Sequence, residues 1–498
     1  MQPVELTGST LTAEQFRDVV RRKVPVAISP QAKKRLGDSC ELLHYLAGSG
    51  QSIYGLNVGV GWNKDEDVPA DTCAKYNRQL ILSHCVGLPP YAGEEDVRAA
   101  LLVRLNTMLL GATGCAPELA EFFMQLLNRN IHPLIPQQGS VGQADLGLMS
   151  FVGLTILGEG QVCYKGEIVD AKAALDAEGL RPLRELGPKY GLSIVGTNGL
   201  GLGQGMLVLG ELEEILAAAN LSYACSLEAL GGNMSPFDPK ALGLKGGAGV
   251  LKIGACLRQL LDGSFLHEPD TGRPLQDPLC FRNAVHVHGA VWEMLEYTRE
   301  RCVCALNAGE DNPSLVLEQR CVIPTANFDP INWVLGMEAL AIAASHISHA
   351  AGHRMIKLAN PAFTGLPRFL APEGVLGLAT AQKAYTALHA KVRHLSNPVS
   401  TDTFALAGEI EDKSTNAPYV VQKLREILEC LWEVLAYEFL HAAQGQTYRI
   451  TSGKTLGKGT ARAYKKVREI APFVNADRVL ASDVAAIVRL LKSGALRD

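Results

Sequence analysis

Apolar residues recur at steps of three and four along most of this chain, and that rhythm leaves room for one kind of fold. It runs through Glu118–Asn128, Met206–Leu230, Val287–Leu306, Ile331–Lys357 and Pro418–Ala443. A strand sends alternate side chains to opposite faces, so only a helix gathers this pattern onto one stripe. Strand signals are few. The best is GQVCYKGEIVDA, Gly160–Ala171, which alternates about Lys165-Gly166 like a small hairpin. Glycines and prolines punctuate Gly263–Asp277 and Leu358–Glu373, which read as loops between long helices. The expectation is an all-α protein of long packed helices with small loop-bearing ends. It would form one unit of 498 residues, with a loop-bearing N-terminal part (1–190), a central bundle (191–450) and a C-terminal tail region (451–498).

With 47% hydrophobic residues the chain can bury a large core, and its mean hydropathy of +0.08 fits neither a disordered nor a fibrous sequence. Net charge is −4 with no long basic block, so no nucleic-acid surface is expected. The opening MQPVELTGSTLTAEQFRDVVRRK has no apolar signal core. The longest uncharged run, Gly191–Gly210, holds seven glycines and reads as a buried loop and helix start, not a membrane span. The 12 cysteines are scattered without a CxxC pair, the usage of reduced thiols in a cytoplasmic protein.

Three motif-like features carry little. SGKT, Ser452–Thr455, imitates the end of a phosphate loop, but Tyr448 stands where its first glycine belongs. Gly196, Gly199, Gly201, Gly203 and Gly205 never reach the GxGxxG spacing. His346, His349 and His353 share a helix face but lack an acidic ligand motif, so packed or interface histidines are expected there and no metal site.

Seven short segments matter more. YGLNVGVG (Tyr54–Gly61) sets a tyrosine and Asn57 in a glycine-containing loop, and LILSHCVG (Leu80–Gly87) supplies His84. LQDPLCFR (Leu275–Arg282) ends on an arginine, and NAGEDNP (Asn307–Pro313) follows a long helix. ANFDP holds Asn327 and Phe328, and NPVSTDTFALAGEIED (Asn397–Asp412) holds Glu411. QQGSVGQADLGLMS (Gln137–Ser150) leads from a glycine loop into an apolar helix. Singly each is ordinary; their order and spacing are the evidence.

Together they resemble the histidine and phenylalanine ammonia-lyase family, from VELTGSTLT near the start to about Gly445, with LNRNIHPLIPQQGSVG, GEGQVCYKGE, LGPKYGL and HGAVWEMLEYTRE between. The resemblance implies an all-α homotetramer whose active sites are assembled from loops of several subunits. It also implies elimination of an α-amino group and a β-proton from an aromatic amino acid. By the same resemblance Tyr54 is the base, Arg282 the clamp on the substrate carboxylate, and Asn57, His84, Asn327, Phe328 and Glu411 lie about the substrate.

The departures are as informative. The family's Ala-Ser-Gly, which cyclises into an electrophilic methylidene-imidazolone, is missing: only Gln143 and Ala144 stand between Gly142 and Asp145, one residue too few. No cofactor of that kind is expected. Leu279 replaces a family tyrosine, and GTNG leaves the family asparagine either shifted to Asn198 or lost. Lys383 follows Gln382 where the family carries an apolar or aromatic residue.

An ordinary amino group leaves poorly without the electrophile, so the substrate must bring a better leaving group. A quaternary ammonium leaves as a neutral tertiary amine and needs neither a proton nor covalent activation. Each tenfold in rate is worth about 1.4 kcal/mol of barrier, and several such steps must come from the substrate. The weakly acidic β-proton is eased if the ring takes up electron density, a task for Lys383 paired with Glu411. A tyrosine base working near neutrality also needs its pKa lowered from about 10, by nearby cationic groups. The missing triplet with Lys383 resembles the family's branch that acts on ergothioneine, and that resemblance implies a lyase releasing trimethylamine from a histidine-type betaine, ergothioneine foremost, to give thiourocanate. Two alternatives stand beside it: a lyase or aminomutase on another activated amino acid, and a silent homologue kept for binding or assembly. Lys383–Glu411 as a plain ion pair and Tyr54 as a packing residue also stay open.

Overall fold

A computed structural model describes residues 2–269 and 272–496. They are mostly helical, and the strands are three or four residues long, in four small sheets. The expected all-α architecture is what the chain adopts. It divides into two compact units, Met1–Val208 with Thr298–Leu335 and Pro398–Val421, and Leu209–Tyr297 with Gly336–Asn397 and Gln422–Asp498.

The first unit is built around the helix Glu94–Met108, whose residues from Asp96 to Met108 are all buried. The helices Ala13–Arg21, Pro117–Asn128, Cys73–His84 and Leu146–Leu157 belong to the same unit. The hairpin predicted about Lys165-Gly166 is present as Gln161–Tyr164 and Glu167–Asp170, extended by a third antiparallel strand, Ile131–Pro133. That third strand and the others are too short for alternation to show in the sequence.

One predicted helix begins earlier than its pattern suggested, at Gly199 instead of Met206. A side chain at Gly203 would come within 2.8 Å of Ala99, and one at Gly199 within 3.1 Å of the Ala100 carbonyl. The glycines thus let this helix lie backbone to backbone against Glu94–Met108, which outweighs their poor helix propensity. Gly191–Gly210 accordingly contains the short helix Tyr190–Val195, a break, and the start of the long helix. Two stretches, Tyr190–Leu230 and Ile331–Leu358, are long and apolar enough to cross a membrane, but 89% and 67% of their apolar windows are buried within the protein.

The second unit holds Ala248–Leu260, Ala381–Leu395, Lys458–Ile470 and Ala481–Lys492 beside parts of the longest helices. At its centre Arg354 and Glu438, both fully buried, pair at 2.5 and 2.9 Å, with Ser226 donating to the same carboxylate. The helix expected to end at Ala443 runs to Thr451. The first of its added turns is polar yet buried, because Gln444 donates to the Leu370 and Val474 carbonyls and Gln446 to Glu228. Leu358–Glu373 is a loop broken by the short helix Pro361–Thr364. Gly263–Asp277 is likewise loop where described, apart from the 3-10 turn Phe265–His267; its residues 270 and 271 lie outside the described residues.

Candidate active site

The loop after the helix Pro30–Gly48 is pinned by its apolar residues. Ile53 and Leu56 are buried with Leu42, Leu43, Leu46, Leu315 and Val322, which leaves Tyr54 between them to face the other way. Its hydroxyl accepts a hydrogen bond from the Gly61 amide at 2.7 Å. Asn57 braces the same loop: its Oδ1 accepts from the Ile53 amide at 2.6 Å and its Nδ2 donates to the Gln51 carbonyl at 2.8 Å.

Tyr54 stands on the shared wall of two cavities, of about 650 and 570 Å³. Gly61, Gln143, Ala144, Leu192 and Glu411 belong to both linings. Phe328, Asp329, Glu310 and Asp311 line the larger cavity; Trp62, Tyr76 and His84 line the other. His84 closes the helix Cys73–His84, and its Nδ1 lies 2.7 Å from the Leu80 carbonyl. Nδ1 is therefore the donor there, which leaves Nε2 as an acceptor when the ring is neutral.

Gln143 and Ala144 sit where the resemblance places the electrophile. Ala144 adopts a left-handed φ of +59°. The loop is held from both sides. Val141 accepts from the amides of Thr415 (3.1 Å) and Asn416 (2.7 Å), and Thr415 Oγ1 donates to the Gly142 carbonyl at 3.0 Å. Gly142 has φ +73°, and a Cβ there would lie 2.4 Å from the Ala417 nitrogen. Only glycine fits. Beyond it, Asp145 accepts from Ser140 Oγ and the Gly201 amide, and burial pushes its carboxyl up to about 6.

Glu411 reaches the same wall from the segment tied down by Thr415. It pairs with Leu406 through two backbone hydrogen bonds, and Ala407, Gly408 and Glu409 between them all have positive φ. Asn198 is buried; its amide donates to Glu310 Oε2 at 2.9 Å and its Nδ2 to the Phe328 carbonyl at 2.6 Å, while Oδ1 has no partner. Asn327 is exposed, with its Nδ2 3.5 Å from Ser314 Oγ, and is absent from both linings.

The electrostatics correct one expectation. Tyr54 is not depressed within its unit: burial raises its pKa and Glu411 raises it further, against the lowering effect of the Gly61 amide. Within this chain it is burial, the Glu411 carboxylate and the Gly61 amide that set the phenol, and not the cationic neighbours expected.

Arg282 and Lys383 belong to the second unit. Arg282 ends the short helix Leu279–Arg282 and lines a cavity of about 740 Å³ with Lys245, Asp277 and His286, its Nε buried and unpartnered. Lys383 is exposed in the first turn of Ala381–Leu395. Of the histidines weighed as ligands, His349 and His353 lie with Nε2 atoms 3.2 Å apart, and the His349 ring is 5.4 Å from that of His389. Among the described residues no group of three His, Cys, Asp or Glu side chains is arranged to hold a metal.

The aromatic amino acid lyase family model matches residues 11–469. The chain belongs to the aromatic amino acid lyase family. Like other members it is a carbon–nitrogen lyase. This lyase is 32% identical over 500 residues to the histidine ammonia-lyase of Treponema denticola, covering 99% of this chain and 97% of the relative. It is 33% identical over 497 residues to that of Stigmatella aurantiaca, at the same coverage. Among solved structures it resembles ergothionase from Treponema denticola in complex with desmethyl-ergothioneine sulfonic acid, with a TM-score of 0.97, 40% identity and 99% of each chain covered. Tyrosine aminomutase from Streptomyces globisporus follows at a TM-score of 0.92 and 29% identity, over 100% of this chain and 98% of that one.

Some lyase residues escaped the sequence reading. Glu310 lay inside the quoted NAGEDNP, yet nothing there marked it as buried against Arg104, Thr197 and Asn198. Tyr76 precedes His84 by two helical turns on the cavity face of Cys73–His84, a spacing that would have flagged it.

Proposed function

We propose that this lyase eliminates trimethylamine from a histidine-type betaine, with ergothioneine the preferred substrate and thiourocanate the product, and uses no methylidene-imidazolone. The observation that carries this is Gln143-Ala144 at the cavity wall beside Tyr54: the electrophile's residues are absent, while the base and Glu411 remain in place. The 40% identity to ergothionase supports the choice of substrate.

In the reaction Tyr54 Oη takes the β-proton. The electrons of that C–H bond form the Cα=Cβ double bond, the Cα–N bond breaks, and nitrogen leaves with its pair as neutral trimethylamine. The ring takes up part of the developing charge, and donors placed at its substituent stabilise the transition state more than the ground state. Lys383 and Glu411 are assigned that task. Arg282 clamps the carboxylate. The resemblance to tetramers with composite sites has Arg282 and Lys383 supplied by neighbouring copies in a cytoplasmic homotetramer. Asn198 and Phe328 shape the wall about the substrate, and Asn57 holds the Tyr54 loop.

The test is incubation with ergothioneine, trimethylhistidine, histidine and 2-thiohistidine, following trimethylamine, ammonia and the ultraviolet band of the conjugated acid. The betaines should be consumed, the 2-thio compound fastest, and the free amino acids left intact. Tyr54→Phe keeps the ring and loses the hydroxyl, so turnover should collapse while binding persists. Ammonia from histidine at comparable efficiency would falsify the leaving-group argument and place the chain with the histidine ammonia-lyases it also resembles.

A further inference from the structure

On the cavity face of the helix Cys73–His84, Tyr76 lies four residues before Leu80 and eight before His84, and all three line the smaller cavity with Tyr54 and Glu411. The Tyr76 hydroxyl is buried and has no hydrogen-bond partner. Buried polar groups are nearly always paired, so an unpaired one on a cavity wall calls for a reason. Folding gains nothing from it. A phenylalanine would fill the same space without stranding a hydroxyl.

We propose that Tyr76 is a substrate-contacting residue whose hydroxyl donates a hydrogen bond to the polar edge of the bound ring, the sulfur or nitrogen of a 2-thioimidazole. This rests on the betaine-lyase reading above. The surroundings suit a ring. The smaller cavity is walled by Tyr54, Trp62 and Tyr76, with Glu411 its one charged residue among the described ones and His84 Nε2 an acceptor. With no lysine or arginine on this described lining, a thione sulfur that gathers negative charge must be met by neutral donors, and the Tyr76 hydroxyl is one that has no partner to give up. Burial first, and Tyr54 next, hold the Tyr76 phenol above the ordinary tyrosine range, so it keeps its proton and donates at neutral pH. The hydroxyl that has no partner within this chain becomes paired in the complex.

The experiment compares wild type with Tyr76→Phe, by thermal unfolding of the free proteins and by calorimetric titration with two betaines. One is trimethylated 2-thiohistidine; the other is the trimethylated betaine of phenylalanine, whose ring has no acceptor. Tyr76→Phe should bind the thio compound at least tenfold more weakly, leave the phenyl compound within twofold, and unfold at a temperature no lower than wild type. A lower melting temperature would show that the hydroxyl serves the fold. Equal weakening of both betaines would remove the contact with the ring edge. If Tyr76→Phe loses thio selectivity as described but wild type releases no trimethylamine from either betaine, the reaction is wrong and the ring contact stands. If wild type binds neither betaine, both fall together.

Discussion

The Gly61 amide donates to the Tyr54 hydroxyl at 2.7 Å, from the far side of a seven-residue loop. A donor there favours the phenolate, and it is the one influence within the unit that lowers the Tyr54 pKa; burial and Glu411 act the other way and outweigh it. The phenol is therefore mostly protonated at neutral pH before substrate arrives. In the proposed reaction Tyr54 must lose its proton to work, so kcat/KM should climb steadily from neutral to alkaline pH. Glu411→Gln removes a like charge, lowers the phenol and should move that limb toward acid. A limb moved toward alkali in this variant would refute the coupling.

Borohydride and cyanide attack the methylidene-imidazolone electrophile. With Gln143-Ala144 in its place, treated enzyme should keep its full rate and show no absorbance from that group. Loss of turnover after borohydride would mean that an electrophile forms from other residues.

Lys383→Met keeps chain length and removes the charge. If Lys383 meets the ring substituent, the rate on the 2-thio betaine should fall by at least one to two powers of ten, about 1.4–3 kcal/mol, and less on trimethylhistidine. Equal losses on both would leave the lysine with some other task.

Gly142→Ala combines a positive φ with a Cβ 2.4 Å from the Ala417 nitrogen. Relief requires the loop to part from Thr415–Ala417, so stability should fall by more than about 1 kcal/mol and turnover with it. Denaturant midpoints and kcat measured together would check this. A stable variant with reduced kcat would show that the loop yields locally, whereas unchanged values in both would mean that the tie is not needed.

The helices were legible because burial imposes their period wherever apolar residues do the packing. Where another force did the packing, no such period marks the helix. Gly199 and Gly203 pack by having no side chain, and Gln444 and Gln446 are buried on hydrogen bonds, so neither end of those helices carries an apolar rhythm. The site divides the same way. Tyr54 and Glu411, found from motif order, line common walls, whereas the electrostatic setting of Tyr54 depends on burial and on the distant Glu411 as well as on nearby Gly61, and only the last is written locally. Tyr76 offered only its helical spacing from His84, and that its hydroxyl has no partner within the chain is a fact of three dimensions.

The loop at Val141 and Gly142 is tied down: its carbonyls accept from Thr415 and Asn416, and the Gly142 amide donates to Ser140. A backbone that must cyclise before it can act passes through a period after folding in which the protein is formed but inert, and any fault in that self-processing yields dead enzyme. In the proposed reaction there is nothing to ripen: catalytic competence would arrive with the fold itself, and the fraction of active molecules in a preparation would equal the fraction correctly folded and assembled.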